Sequence, residues 1–234
     1  MPYTHLSFDL DGTLVDTAAE IAEAVNGTLA EFGVAPRSVE EITMLIGGGA
    51  HELMRRLIER VQGERPAGSV PLPIDDVLAR LDDHYEQTAG TTGLPYVDCV
   101  DSLRRLRVAG LRLVCLTNKE ERFARRVLQQ TRLDGYFELL IGGDTLAQKK
   151  PHAAVIEHVL QRLGARAEHY AHIGDSRTDV ETARNASVAA WAVPYGYNAG
   201  EPIAAAQPDV LFANLADIVR HVIAANAANA AVPP

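Results

Sequence analysis

The sequence lacks nearly everything that would mark a secreted, membrane-bound or nucleic-acid-binding protein. Its 234 residues include two cysteines, Cys99 and Cys115, in different segments and without metal-type spacing. That excludes a disulfide framework and points to a reducing compartment. Cys115, inside an apolar strand pattern, reads as a small core hydrophobe. No apolar run approaches the length of a membrane span, and the N-terminus lacks the cationic and apolar blocks of a signal peptide. Cytoplasmic residence is the resulting expectation. Basic residues are also scarce: 22 Lys and Arg against 31 Asp and Glu leave a net charge of −9. This offers no footprint for nucleic acid or a membrane surface. A small molecule is the better partner, and an anionic one would need a locally positive pocket.

What is present is a chain that is 47% hydrophobic, enough for a sizeable core. Short β-like runs alternate with helical segments: Tyr3 to Phe8, Arg112 to Leu116, Glu138 to Ile141, Tyr170 to Ile173, Ala189 to Val193 and Asp209 to Phe212. Such alternation predicts an α/β fold, a Rossmann-like parallel sheet with helices on both faces. Roughly a hundred residues without a convincing strand separate the first two runs, far more than one crossover helix needs. An inserted helical cap domain over residues 17–91 accounts for them, leaving 1–16 and 92–225 as the catalytic core. Ile21, Val25, Leu29 and Phe32 follow helical spacing from about Ala18, with Gly33 as a stop. Ser38 and Glu41 form a capping box, and Leu53, Leu57, Ile58 and Val61 mark another helix after Gly47-Gly48-Gly49. Val77, Leu78, Leu81 and Tyr85 mark a further helix ending near Gly90, beyond a Gly/Pro-rich loop. The Ala/Asn-rich stretch 226–234 reads as a disordered tail.

In open α/β sheets ligands sit beyond the carboxyl ends of the strands. Asp9 and Asp11 follow the first run, Thr117-Asn118-Lys119 the second, Lys149-Lys150-Pro151 trails the third, and Gly174-Asp175 to Asp179 follows the fourth. If these ends meet, several carboxylates share one crevice and repel unless a cation joins them. Oxygen donors without nearby His or Cys favour Mg²⁺ over zinc, and Mg²⁺ is commonly held by carboxylates, waters and a substrate phosphate. Asp9 and Asp11, on alternate residues of an extended strand, face one pocket while Leu10 points inward. One acid can attack phosphorus and the other move a proton. Gly12 permits a turn that brings backbone N–H groups toward an anion.

Asp9 to Thr13, Thr117, Lys150-Pro151 and Gly174-Asp175 to Asp179, in that order, resemble the four signature motifs of the haloacid dehalogenase superfamily. The resemblance covers nearly the whole chain, including a cap inserted after the first motif. Within the superfamily the sequence is most similar to phosphoglycolate phosphatases, through Ile46-Gly47-Gly48-Gly49-Ala50, Thr117-Asn118-Lys119, Ile141-Gly142-Gly143-Asp144, Lys149-Lys150-Pro151-His152 and Tyr195-Gly196-Tyr197-Asn198. The resemblance implies Asp9 as nucleophile and Mg²⁺ ligand, Asp11 as general acid/base reaching the metal through its backbone carbonyl, and Asp175 as the remaining metal carboxylate. It further implies Thr117 and the Asn118 amide as phosphate ligands, Lys150 as the counter-charge to phosphate and Asp9, and Asp179 as a support behind them. Ala153 stands where relatives often have a proline, which bears on loop rigidity. The uninterrupted glycines of the cap loop, where relatives often place a polar residue, leave substrate identity open.

The expected reaction is Mg²⁺-dependent hydrolysis of a small phosphorylated metabolite, 2-phosphoglycolate first among them. Other sugar or nucleoside phosphates, or phosphosugar mutase chemistry, are the alternatives within the same fold. A non-catalytic relic fits poorly with four intact motifs. Asp16 reads as a cap for the first cap helix, Lys149 as a solvated neighbour, Lys119 as a surface charge, and Arg55 and Arg56 as a solvated face or a greeting for a substrate carboxylate. No feature of the sequence bears on oligomeric state.

Overall fold

A computed structural model of the chain describes residues 2–66 and 68–230. In chain order, β1 (His5–Phe8) and β2 (Val15–Asp16) lead into helices α1 (Ala18–Glu31), α2 (Val39–Thr43), α3 (Ala50–Glu64) and α4 (Ile74–Thr88), and the chain returns through β3 (Leu94–Pro95). The remainder alternates: α5 (Cys99–Val108), β4 (Arg112–Leu116), α6 (Glu121–Gln130), β5 (Leu139–Ile141), α7 (Ala154–Leu163), β6 (Tyr170–Gly174), α8 (Arg177–Asn185), β7 (Ala189–Ala192), β8 (Val210–Leu211) and α9 (Leu215–Ala230). All six expected strand runs enter one sheet of order β5-β4-β1-β6-β7-β8, every pairing parallel. Along β4, Leu113 and Cys115 join one apolar cluster, Val114 and Leu116 the other, as expected of a strand covered on both faces.

The order of the strands makes the site. The chain leaves β1 and fills β4 and β5 on one side, then crosses to place β6 and β7 on the other. Phe8 is level with Cys115 of β4 and Ile173 of β6. The residues just past all three strands therefore emerge at one height, at a topological switch point.

The long insert is helical, as its spacing predicts. Ile21, Val25, Thr28 and Leu29 of α1 are buried, as are Val77, Leu78, Leu81 and Tyr85 of α4, and the two helices pack together. The Ser38–Glu41 capping box is present. The span is not free of strands, however. Val15–Asp16 and Leu94–Pro95 pair antiparallel where the chain leaves and re-enters the core; two residues per strand are too few to show a period of two.

The chain's end also departs from expectation. Residues 226–230 continue α9 rather than fraying; residues 231–234 lie outside the described residues. Asn226 is the reason. Its Oδ1 accepts the Tyr3 N–H at 2.7 Å, and its Nδ2 donates to the Tyr3 carbonyl at 2.8 Å. One side chain thus completes the backbone just ahead of β1, while Ile218, Val219 and Val222 bury the same helix in the core. Asn226→Ala is expected to lower stability by about 1–2 kcal/mol through loss of this pair of hydrogen bonds, read as a reduced midpoint in urea unfolding. An unchanged midpoint would show that the tail is not an anchor.

Candidate active site

Asp9 follows β1 directly, its backbone N–H donating to Ile173 O at 2.9 Å and thereby extending the sheet by one residue. Its carboxylate Oδ1 accepts the Leu10 N–H at 2.8 Å and lies 3.0 Å from Lys150 Nζ. Lys150 reaches Asp179 Oδ1 as well, at 2.6 Å. Asp175, just past β6, accepts from Thr13 Oγ1 at 2.8 Å on one oxygen and from the Tyr197 N–H at 2.6 Å on the other. Gly12 makes room for this: at φ 82° a Cβ would stand 2.4 Å from Asp175 Oδ2. Oxygens of Asp9, Asp175 and Asp179 all lie within 4.8 Å of one another, and all three acids are buried.

Three buried acids around one ammonium leave excess negative charge. Burial pushes the Asp9 carboxyl up to about 6, with Lys150 pulling it back and Asp179 and Asp11 adding to the rise. Burial, then the charges of Asp179 and Asp9, push Asp175 up to about 8. Asp179 goes the other way: burial would raise it, but Lys150 and His172 outweigh that and hold it below the usual carboxylate range. An all-oxygen donor set that resists ionisation for want of positive charge fits a hard divalent cation. Asp179 is a poor direct ligand. Its Oδ1 meets Lys150 and His172 Nε2, and its Oδ2 accepts from the Ser176 N–H and hydroxyl. Ser176 and Asp179 form the capping box of α8, so this acid positions Lys150 and the helix together.

Asp11 lies one residue pair along. Its Oδ1 accepts from Thr17 Oγ1 at 2.6 Å, and Lys119 Nζ sits 3.0 and 3.2 Å from its two oxygens. Lys119 is not the surface charge that its sequence context indicates: it is 3% exposed. Its ammonium lies over the Tyr85 ring, 5.1 Å from the centroid; burial would lower its pKa, but the neighbouring acids, Asp11 foremost, outweigh that and hold it protonated. Behind it, Glu20 is wholly buried in the first turn of α1, its Oε2 accepting the Gly90 and Gly93 N–H groups at 3.0 Å each.

The Asn118 carboxamide is committed to structure. It accepts from Lys150 N at 2.9 Å and donates to the carbonyls of Lys150 and Gly47, so it ties the end of β4 to the Lys150 loop and to the cap loop. Gly49 backs onto the same loop, where a Cβ would meet Asn118 O at 2.6 Å. Lys149 is exposed but not merely solvated, because it donates to Gly48 O at 2.6 Å. Tyr197, part of the Tyr195-to-Asn198 stretch, binds the cap crossing: its hydroxyl accepts from the Thr17 and Ala18 N–H groups and donates to Asp16. Asp16 also accepts the Ala18 N–H, at 3.3 Å, in keeping with a helix-start role. Asp144 caps α6 through the Glu121 N–H. Arg55 and Arg56 are exposed, and neither lines the cavity at Asp9 and Asp11. That narrow cavity, of about 30 Å³, is floored by Asp9, Asp11, Thr117 and Asp175, and roofed by Ile21, Ile46, Ala50, Leu53 and the Tyr85 ring of the cap helices and their loop.

Residues 6–193 match the Haloacid dehalogenase-like hydrolase family. Phosphoglycolate phosphatase 1 of Pseudomonas aeruginosa is 38% identical over 218 residues, which span 91% of this chain and 77% of the relative. The phosphoglycolate phosphatase of Thiobacillus denitrificans is 34% identical, over 93% of this chain and 94% of its own. Among solved structures, one from Haemophilus somnus, described as a predicted phosphoglycolate phosphatase, superposes with a TM-score of 0.87 at 27% identity, covering 94% of this chain and 97% of its own.

Without a bound cation, Asp9 and Asp175 hold protons more tightly folded than unfolded, so between about pH 4 and pH 8 the folded state is the more protonated. Their contribution to stability is therefore lost as pH rises through that window. A divalent ion keeps both acids ionised, so its stabilising effect grows with pH. Melting temperatures in EDTA are expected to fall from pH 5 to pH 8, the increment from added Mg²⁺ to rise, and Asp175→Asn to flatten the EDTA slope. A chelated protein whose slope is the same with and without the substitution would overturn the charge assignment.

Proposed function

The chain belongs to the haloacid dehalogenase-like hydrolases and is a phosphatase, and from that premise we propose that it hydrolyses 2-phosphoglycolate to glycolate and phosphate through an aspartyl-phosphate intermediate. The observation that carries the substrate is the cap's inner face. Ile21, Ile46, Ala50 and Leu53 offer nothing to the hydroxyls of a hexose or nucleoside. Ser176, Tyr197 and Asn198, which also line the cavity, are engaged by Asp179, Asp16, Arg177 and Glu201, so such hydroxyls would be buried short of partners. A two-carbon leaving group has no such hydroxyls to satisfy. The two buried, unpaired cysteines suit an enzyme of a reducing cytoplasm.

Asp9 is the nucleophile in this reading. The Leu10 N–H and Lys150 engage its Oδ1, which leaves Oδ2 as the oxygen for phosphorus. As the Asp9–phosphorus bond forms, the bond to the ester oxygen breaks, and Asp11 gives that oxygen a proton. Glycolate leaves. Asp11 then takes a proton from water as the water oxygen attacks phosphorus, the bond from phosphorus to the Asp9 oxygen breaks to restore the carboxylate, and phosphate departs. Thr117 Oγ1 and the Asn118 N–H hold the phosphoryl oxygens, and Lys150 offsets their charge and that of Asp9. Asp9, Asp175 and the Asp11 carbonyl would hold Mg²⁺, which when bound withdraws charge from the phosphoryl group. Thr17 and Lys119 fix the Asp11 carboxylate, both meeting Oδ1 and Lys119 also Oδ2. A cavity of about 30 Å³ is too small for a phosphomonoester, so the cap swings aside to admit one and closes to exclude water.

Asp9→Asn is expected to lower kcat on the order of 10⁴-fold or more, and Asp11→Asn by roughly 10²–10⁴-fold, in a phosphate-release assay. Acid quenching of the wild type with radiolabelled ester should trap label on protein, and Asp9→Asn should trap none. Dialysis against EDTA should abolish turnover, and Mg²⁺ should restore it. Full activity in Asp9→Asn would sink the covalent route, and better turnover of hexose or nucleoside phosphates than of 2-phosphoglycolate would sink the substrate.

A further inference from the structure

Resting on that reading, we infer that Lys119 forms a carboxylate-binding subsite on the leaving-group side of the cavity. It selects phosphomonoesters that carry an acid group on the carbon bearing the ester oxygen.

Among the cavity-lining residues, Lys119 is the one cationic side chain. Lys150 stands behind Asp9, engaged by Asp9 and Asp179, on the side where phosphorus is attacked. Lys119 stands beside Asp11, 3.0 and 3.2 Å from its oxygens, on the side where the leaving oxygen is protonated. An ester oxygen within hydrogen-bond reach of Asp11 sets the next carbon, and any carboxylate on it, within a few ångströms of the Lys119 ammonium. That ammonium has three donors, of which the Asp11 carboxylate occupies at most two. The Tyr85 ring lies against it, and the buried side chain has no exposed arm to move. The other cationic candidates, Arg55 and Arg56, are exposed, and Arg56 is paired with Glu52 at 2.8 Å. Neither reaches the cavity. A chain of net charge −9 repels an anion at long range, so an anionic leaving group is recognised only where a buried cation meets it directly. The apolar roof raises the stakes: a carboxylate enclosed there without a partner is excluded.

The test compares 2-phosphoglycolate with 2-hydroxyethyl phosphate, its neutral counterpart of similar size, using the Mg²⁺-loaded enzyme. Wild type should favour the carboxylate by roughly 10–100-fold in kcat/KM, the range of a charge-assisted pair. Lys119→Met should bring that ratio close to one, and Lys119→Arg should restore much of it. Any loss common to both esters reports the contact with Asp11 and cancels in the ratio. Glycolate should also inhibit wild-type turnover of the neutral ester competitively, with ethylene glycol far weaker, a comparison that needs no variant. A wild-type preference unmoved by Lys119→Met, or equal inhibition by glycolate and ethylene glycol, overturns the subsite while leaving the phosphatase reading intact. Turnover of 2-hydroxyethyl phosphate with none of 2-phosphoglycolate overturns the substrate reading itself.

Discussion

The buried ammonium of Lys150 is the contact on which the site depends. It joins Asp9, at the end of the central strand, to Asp179, in the first turn of α8, and so ties three motifs far apart in sequence. Without it, Asp9, Asp175 and Asp179 would confront one another in a space too small for three charges. With it, Asp179 stays ionised, and the remaining deficit falls on Asp9 and Asp175, the pair that faces the cavity. The fold thereby compensates Asp179 most fully and leaves Asp9 and Asp175, which line the cavity, short of positive charge. Asp179 is steadied further from behind by a fully buried chain in which Ser7 Oγ meets His172 Nδ1 at 2.8 Å and His172 Nε2 meets Asp179 at 3.1 Å. Burial lowers the His172 pKa, which favours the neutral ring, linking β1 and β6 without adding a charge.

A second set of contacts joins cap to core. Glu20 gathers the returning strand through two glycine N–H groups, Tyr197 holds the outgoing crossing, and Asn118 and Lys149 bind the carbonyls of the cap's glycine loop. The first two lie beside β2 and β3, where the cap is attached; the others lie across the mouth of the cavity. Under the proposed swing of the cap, contacts at the attachment can persist, whereas those at Gly47 and Gly48 must break. These are two carbonyl contacts, one of them made by the exposed Lys149, which is the kind of weak closure a reversible swing requires.

Much of this was legible in the sequence because strand ends are legible. The six apolar runs, the helical period of the insert and the acids just past the runs all depend on local pattern, and a parallel sheet has few ways to order them. What the sequence hid depends on direction and distance. Lys119 follows two polar residues at a strand end and looks solvated; only the descent of α4, with Tyr85 over the ammonium, encloses it. Glu20 sits in the first turn of a helix, where an acid is ordinarily an exposed partner of the dipole, yet here it is buried against a segment about seventy residues later. Tyr197 acts on a helix start some 180 residues before it. Asn226 lies in a stretch of low complexity whose composition masks one side chain fitted to Tyr3.

The charge pattern also explains why metal and substrate should reinforce each other. A dianionic phosphoryl group entering the cavity meets Asp9 and Asp175 head on, and a dication entering alone must bring water to complete its shell. Each ligand relieves the other's cost: the cation offsets the acids that repel the phosphate, and the phosphate supplies oxygens that the cation lacks. Since coupling between two bound ligands is reciprocal, an acidic protein can bind an anion without any general positive field. On the proposed reaction the requirement for positive charge is met at three points, by Lys150 beside Asp9, by Lys119 beside Asp11, and by a cation that the acids would hold between them.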